Sequence, residues 1–317
     1  MFATSATINS TNVRNHARLA WERLNFAVSA VLAPDRAVDR AARLFTTPPR
    51  FAHTLPEREL LASAKGFVVA SPEGRIAAWR FGDEDRPAIV VAHGWGGRGA
   101  QLRAFVPALL EAGFQVVLFD HIGHGHSEGA EASLVHFIKG IDAVVRAVEA
   151  QGARVAGMIA HSLGAAAATA WLNHTRREMR VVLIAPPTSL ERYSGYFARR
   201  LGMPESVRRA MQRRFETRFG QRWEEFELPQ SVAKVLAQAL VIHDADDREV
   251  APASGLALAR AWPTAKWLRT RGLGHRLILR NAEVVADAVD FIADRVRFAA
   301  APRRGEASAY LAPAAWI

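Results

Sequence analysis

From residue 66 onward, short uninterrupted apolar runs alternate with longer segments whose apolar residues recur every three or four positions. The runs are GFVVAS (66–71), IAAWRF (76–81), AIVVAH (88–93), QVVLFD (115–120), VAGMIA (155–160), RVVLIA (180–185), ALVIH (239–243) and AKWLRT (265–270). Runs of this length with no polar alternation read as strands buried on both faces. The first two flank Pro-Glu-Gly and read as a hairpin. The segments near 101–112, 131–150, 163–175, 252–261 and 276–297 read as helices. Strands that alternate with helices imply right-handed crossovers, hence an α/β fold with a mostly parallel sheet and helices on both faces.

Two stretches depart from the alternation. Residues 13–45 carry Leu19, Leu24, Phe26, Val28 and Leu32 among Arg and Asp, then resume after Pro34 with Val38, Ala41, Ala42 and Phe45, and stop at Pro48-Pro49. This reads as an amphipathic helical segment. After Pro186-Pro187, about 50 residues are helical and basic in pattern, with no strand signal. Within them, 204–220 places Val207, Met211, Phe215 and Phe219 four apart on one helical stripe. The expected organisation is an N-terminal helical extension (1–64), a core made of 65–185 and 239–300, a helical cap or lid insertion (186–238) and a frayed tail (301–317). An insertion between two strands of an open α/β sheet is expected over the carboxyl ends of the strands, where ligands bind.

Composition narrows the classes. The chain has 317 residues, half of them hydrophobic and 23% charged, which fits a globular protein with a sizeable core. It has no cysteine, which excludes disulfide frameworks, thiolate metal sites and a cysteine nucleophile. No apolar run reaches the ~18 residues of a membrane span, and the polar start does not read as a secretory signal, so a cytoplasmic location is expected. The net charge of +10 is unevenly placed. Residues 1–50 hold 7 basic and 3 acidic groups, and 191–222 hold 9 and 3, while 51–190 and 223–317 are each neutral. An anionic membrane surface or an acidic substrate is therefore a candidate partner for 191–222, set against a merely solvated arginine-rich face. Nucleic acid is not an expected partner, because the arginine excess runs with a general Ala/Arg bias.

Residues 160–164 read Ala-His-Ser-Leu-Gly, between a buried strand and an Ala-rich helix. Small residues two positions either side of Ser162 suit a strained strand–turn–helix that presents a nucleophile. A serine nucleophile needs a base, and His275 in Arg271-Gly-Leu-Gly-His-Arg is the sole histidine beyond 243. The base needs an orienting carboxylate. Three compete after 239–243: Asp244, Asp246 and Asp247. Asp247 is preferred at the far end of the turn, Asp246 follows, and Asp244 is expected to organise the turn through backbone N–H groups. Residues 93–97, His-Gly-Trp-Gly-Gly, directly follow a strand. The backbone amides of Trp95 and Leu163 are the candidate oxyanion donors. His121, His124 and His126 share one loop, but their spacing matches no metal site; Asp120 and the two glycines at 123 and 125 are read as shaping a turn after the strand, and no metal or cofactor is expected.

With these features in order (His-Gly at 93–94, Asp-x-x-Gly-x-Gly-x-Ser at 120–127, the elbow at 160–164, Asp247 and His275), the chain resembles the α/β-hydrolase superfamily over residues 65–298. Within it, the serine lipase, esterase and thioesterase-like branch is most similar. A serine at the elbow argues against the dehalogenase and epoxide-hydrolase branches, which use Asp there. The resemblance implies a Ser162–His275–Asp247 triad that cleaves a small-molecule acyl substrate of carboxylic ester type through an acyl-enzyme, without a cofactor. Two other readings stand beside it: a catalytically silent α/β-hydrolase that binds, and a membrane-surface or nucleic-acid binder that uses the basic cap.

Overall fold

The computed structural model describes residues 10–294. Two helices come first, α1 (Ser10–Leu32) and α2 (Pro34–Thr46), followed by α3 (Leu55–Ala62). Then come β1 (Lys65–Ser71), β2 (Gly74–Phe81), β3 (Ala88–Ala92), α4 (Phe105–Glu111), β4 (Gln115–Phe119), α5 (Leu134–Ala150), β5 (Val155–His161), α6 (Leu163–Thr175) and β6 (Arg180–Ile184). The chain continues through α7 (Leu190–Leu201), α8 (Glu205–Phe219), α9 (Leu228–Ser231), β7 (Gln238–Asp244), α10 (Pro252–Ala261), β8 (Lys266–Thr270), α11 (Gly274–Leu277) and α12 (Ala282–Ile292).

The eight strands of the described residues form one sheet in the order β1-β2-β4-β3-β5-β6-β7-β8. β2 runs antiparallel to β1 and β4, and every other pairing is parallel. This is the α/β-hydrolase architecture expected from the alternation. β3, β4 and the inner residues of β7 are fully buried, which is why their sequences show no period of two. β3 lies between β4 and β5, so the connections leaving β3 and β4 diverge to opposite sides. Such a switch point opens a crevice at the carboxyl ends of the strands. The loop after β3 and the turn after β5 both end there.

The chain divides into two compact units, and the division differs from the one expected. Among the described residues, the smaller unit joins 10–46 to 190–224, while 47–189 and 225–294 make the larger one. The N-terminal helices and the insertion helices thus share a core instead of forming separate pieces. Phe26, Val38 and Ala41 of α1 and α2 are buried with Val207, Met211 and Phe215 of α8 and with Trp223. Phe45 packs edge-on against Phe197 at 5.2 Å. The stripe read at 207–219 is the face that packs into this shared core, against α2, and an interaction this distant in sequence leaves no local signature. Arg208 is buried in this unit because its guanidinium is matched by Glu191, Glu205 and Ser194.

Residues 47–62, expected to belong to an N-terminal extension, fold with the sheet instead. Arg50 donates to the carbonyls of Gly125, Ser127 and Gly129. Helix α3 starts where Glu57 accepts the Thr54 N–H at 2.8 Å, half of a capping box whose Thr-x-x-Glu signature is visible in the sequence. The helix expected over 276–297 is broken into α11, a short tight turn and α12. Asn281 caps α12 by accepting the Val284 N–H at 3.0 Å, and its extended backbone interrupts the helix. α12 ends at Ile292. The expected fraying of 301–317 lies outside the described residues.

Candidate active site

Ser162 stands between β5 and α6 with φ 52° and ψ −123°. A positive φ is uncommon for a side chain with a Cβ and costs ~1–3 kcal/mol, so surrounding structure must hold it. Two close approaches do so. A Cβ on Gly164 would lie 2.4 Å from the His93 carbonyl oxygen, so only glycine lets α6 start against the end of β3. A Cβ on Gly94 would lie 2.8 Å from the Ser162 Cβ. The Gly94 backbone and the serine are therefore in contact, and the crevice brings together the loop of 93–97 and the turn of 160–164. Leu163 is the first residue of α6. A residue in that position has no carbonyl one turn back within its helix for its N–H. Trp95 lies inside the turn closed by the Gly97 N–H to Gly94 carbonyl bond at 3.0 Å.

His275 is the second residue of α11, at the end of β8. It sits against the elbow: its ring centroid is 4.6 Å from that of His161, and its carbonyl accepts the His161 Nε2–H at 3.0 Å. Its own Nδ1 bonds the Asp247 Oδ2 at 2.7 Å, so Nδ1 carries a proton and donates it to the carboxylate. Of the three competing aspartates, Asp247 is the one brought to His275. Asp244 accepts the N–H groups of Asp246, Leu273 and Gly274 and the Thr270 hydroxyl, which ties the loop after β7 to the loop that presents His275. Asp246 is turned to the Gly272 N–H at 2.9 Å.

Asp247 is fully surrounded. Its Oδ1 accepts the Glu249 and Val250 N–H groups, and its Oδ2 also lies 3.2 Å from the His243 Nε2. Burial raises its carboxyl pKa, but the bonds from His243, His275 and the Val250 N–H outweigh it and hold the group well below the usual carboxylate range. His243 is a neighbour of the candidate site that sequence reasoning passed over. Its i, i+4 spacing to Asp247 was readable, but β7 sets the direction of the ring, whose Nε2 bonds the Val250 carbonyl at 3.0 Å beside the carboxylate. A second omission is His161. Burial first, then the neighbouring His275, lower its pKa to about 3, so it stays neutral and donates from Nε2.

The histidine-rich loop shapes backbone. The His121 N–H donates to the His93 Nε2 at 2.9 Å, so His93 is protonated at Nδ1, which donates to the Gly94 carbonyl at 2.7 Å. The Gly96 N–H donates to the His124 Nε2 at 3.0 Å. Burial holds His93 and His121 well below the normal imidazole range and lowers His124 to about 4. Glu57 adds a buried ion pair with Arg98 at 2.7 Å, which ties α3 to the end of the Gly-rich loop. One cluster was not anticipated. His53, Asp120 and His126 offer metal-ligand atoms within 4.8 Å of one another. The two rings are stacked at 4.4 Å and nearly parallel (14°). Imidazole lone pairs lie in the ring plane, so one ring must rotate before both could meet a single ion. Asp120 already accepts the Gly99 and His126 N–H groups.

With this geometry in hand, comparison with known proteins places the fold. The family described as Hydrolase_4 (serine aminopeptidase, S33) matches residues 83–246. Epoxide hydrolase B of Mycobacterium tuberculosis is 34% identical over 108 residues, which cover 33% of this chain and 30% of that protein. The chain thus matches under a third of the length of that relative. Among solved structures, the esterase Pf2001 of Pyrococcus furiosus superposes with a TM-score of 0.59 at 19% identity, covering 77% of this chain and 97% of that one. Est1E of Butyrivibrio proteoclasticus, with ferulic acid bound, gives a TM-score of 0.57 at 17% identity, covering 72% and 98%. At these identities the two structures establish the fold.

Proposed function

This chain belongs to the family described as Hydrolase_4 (serine aminopeptidase, S33), within the α/β-hydrolases, and we propose that it is a serine hydrolase that cleaves carboxylic ester-type substrates through an acyl-enzyme. The observation that carries the reading is the 2.7 Å bond from His275 Nδ1 to a carboxylate held ionised, with the same imidazole against the residue that precedes Ser162. In this reading the Nε2 lone pair of His275 takes the Ser162 proton as Oγ attacks the acyl carbon. The Trp95 and Leu163 amides stabilise the oxyanion, and the imidazolium then protonates the departing alcohol. Water activated by the same Nε2 attacks the acyl-enzyme and releases the acid and the free serine. Asp247 keeps the proton on Nδ1 and stabilises the imidazolium.

The partial likeness to an epoxide hydrolase does not carry that activity here. An attack of Ser162 on an epoxide would leave an alkyl ether, which has no carbonyl for water to reach. An acyl substrate leaves an ester, which water can cleave.

The test is labelling with a fluorophosphonate probe, with the adduct mapped by tandem mass spectrometry. The expected result is an adduct on Ser162 that is lost in His275→Ala. No adduct on a folded protein overturns the reading and leaves a fold used for binding. A series of p-nitrophenyl esters of increasing chain length then defines the acyl group.

A further inference from the structure

α1 buries one face and exposes an apolar face opposite to it. Phe26 is fully buried in the core of the smaller unit and Glu22 is buried beside it, paired with Arg40 at 2.8 Å. On the other side, Ala17, Ala20, Trp21, Leu24, Ala27, Val28, Val31 and Leu32 are exposed. At 100° per residue these eight fall within an arc of about 140°, and no charged residue from 17 to 32 with a described side chain lies inside it. Trp21, Leu24, Val28, Val31 and Leu32 are 48–79% exposed. A helix on the surface of a globular protein normally turns polar residues outward. Seven of the twelve large exposed hydrophobic residues among the described ones lie in the smaller unit, where Tyr193 and Tyr196 of α7 join the five on α1.

The charge of the same unit says what covers this face. Its two segments carry 15 basic and 7 acidic residues, net +8, which leaves only +2 for the rest of the chain. Arg23 flanks the arc, and its Nε donates to the Arg200 carbonyl, so the exposed Arg199, Arg200 and Tyr196 of α7 stand beside α1. An apolar stripe that includes a tryptophan and is edged by arginines and tyrosines suits the boundary between lipid acyl chains and anionic headgroups. No described helix is long and apolar enough to cross a membrane, so the fit is to a helix lying in the interface plane.

We propose that α1, with the adjoining end of α7, binds the protein peripherally to anionic lipid surfaces through the Trp21–Leu24–Val28–Val31 face. The test uses full-length Ser162→Ala protein, so that its outcome is separate from that of the serine-hydrolase reading. Sedimentation is measured with vesicles of phosphatidylcholine alone and of phosphatidylcholine with phosphatidylserine. The expected result is binding to the phosphatidylserine vesicles and at least about tenfold weaker binding to the neutral ones. Leu24→Glu/Val28→Glu changes only exposed positions and is expected to remove vesicle binding with an unchanged circular dichroism spectrum. Arg199→Glu/Arg200→Glu is expected to weaken binding and its salt dependence together. Failure to bind phosphatidylserine vesicles overturns the proposal, as does binding that survives Leu24→Glu/Val28→Glu. A concentration-dependent dimer that the same variant dissociates, without lipid binding, assigns the face to a second copy and also overturns it.

Discussion

The crevice at the carboxyl end of the sheet and the smaller helical unit treat side chains in opposite ways. In the crevice, polar groups are buried and matched: Asp247 accepts from two backbone N–H groups and the His275 imidazole, and Asp244 from three N–H groups and a hydroxyl. In the smaller unit, apolar groups are exposed and most arginines face outward. Burying an ion is tolerable only when every lone pair is satisfied, so the first arrangement keeps a charge in one orientation. The second leaves apolar area and charge free to meet something outside. Chemistry is thus expected to depend on single atoms in the larger unit, and association on summed area and charge in the smaller.

Four results would break or sharpen that contrast. Ser162→Ala is expected to have the largest effect, a loss of kcat of at least ~10⁴-fold on any turned-over ester, with binding retained. Asp247→Asn follows, at ~10³–10⁴-fold, because an amide in that place no longer fixes the proton on His275 Nδ1. A loss below tenfold would mean the His275 tautomer is set by something other than this carboxylate. In the smaller unit, Met211→Ala should lower stability by ~2–5 kcal/mol in urea unfolding, as for any buried methionine, with no specific atom at stake. The smallest catalytic effect is expected for His243→Gln. It removes a ring that lies 3.2 Å from the Asp247 carboxylate and bonds the Val250 carbonyl beside it, and so costs about tenfold in kcat with little change in KM.

The buried imidazoles also tie folding to pH. The pKa values of His93, His121, His124 and His161 are lowered in the folded chain, the last two to about 4 and about 3. As pH falls below ~6.5 the unfolded chain takes up protons that these four folded sites refuse. Their contribution is therefore complete above ~6.5 and declines as the solution is acidified, by at most ~1.4 kcal/mol per pH unit for each. Asp247 acts in a lower window: its depressed pKa stabilises the fold above ~4 and is lost as pH falls further. Thermal unfolding followed from pH 8 to 5 should show a steady drop beginning near neutrality. A flat profile over that range would mean that these rings are protonated in the fold.

Much of the sheet was readable because burial on both faces removes polar residues from a strand, as in 88–92, 115–119 and 239–243. The helix at 276–297 was misread for the converse reason. Its apolar spacing continues across Asn281, and only the bond from the Val284 N–H shows the break. Helix α3 had a local signal in Thr54 and Glu57, but it lay in a region read as an extension.

What the sequence determined by itself is whatever short-range chemistry encodes. That covers the order of strands and helices, the glycines at 94 and 164 where backbones must touch, the serine between a strand and a helix, and the uneven placement of arginine. Tertiary structure alone decided which of three neighbouring aspartates meets His275. It also decided that His161 and His243 stay close to that pair, that residues 47–62 belong with the sheet, and that α1 and α8 share one core while α1 leaves its other face uncovered. Those outcomes turn on contacts between residues tens to hundreds of positions apart. Such contacts depend on the direction of a side chain in space, which the periodicity of one segment does not record.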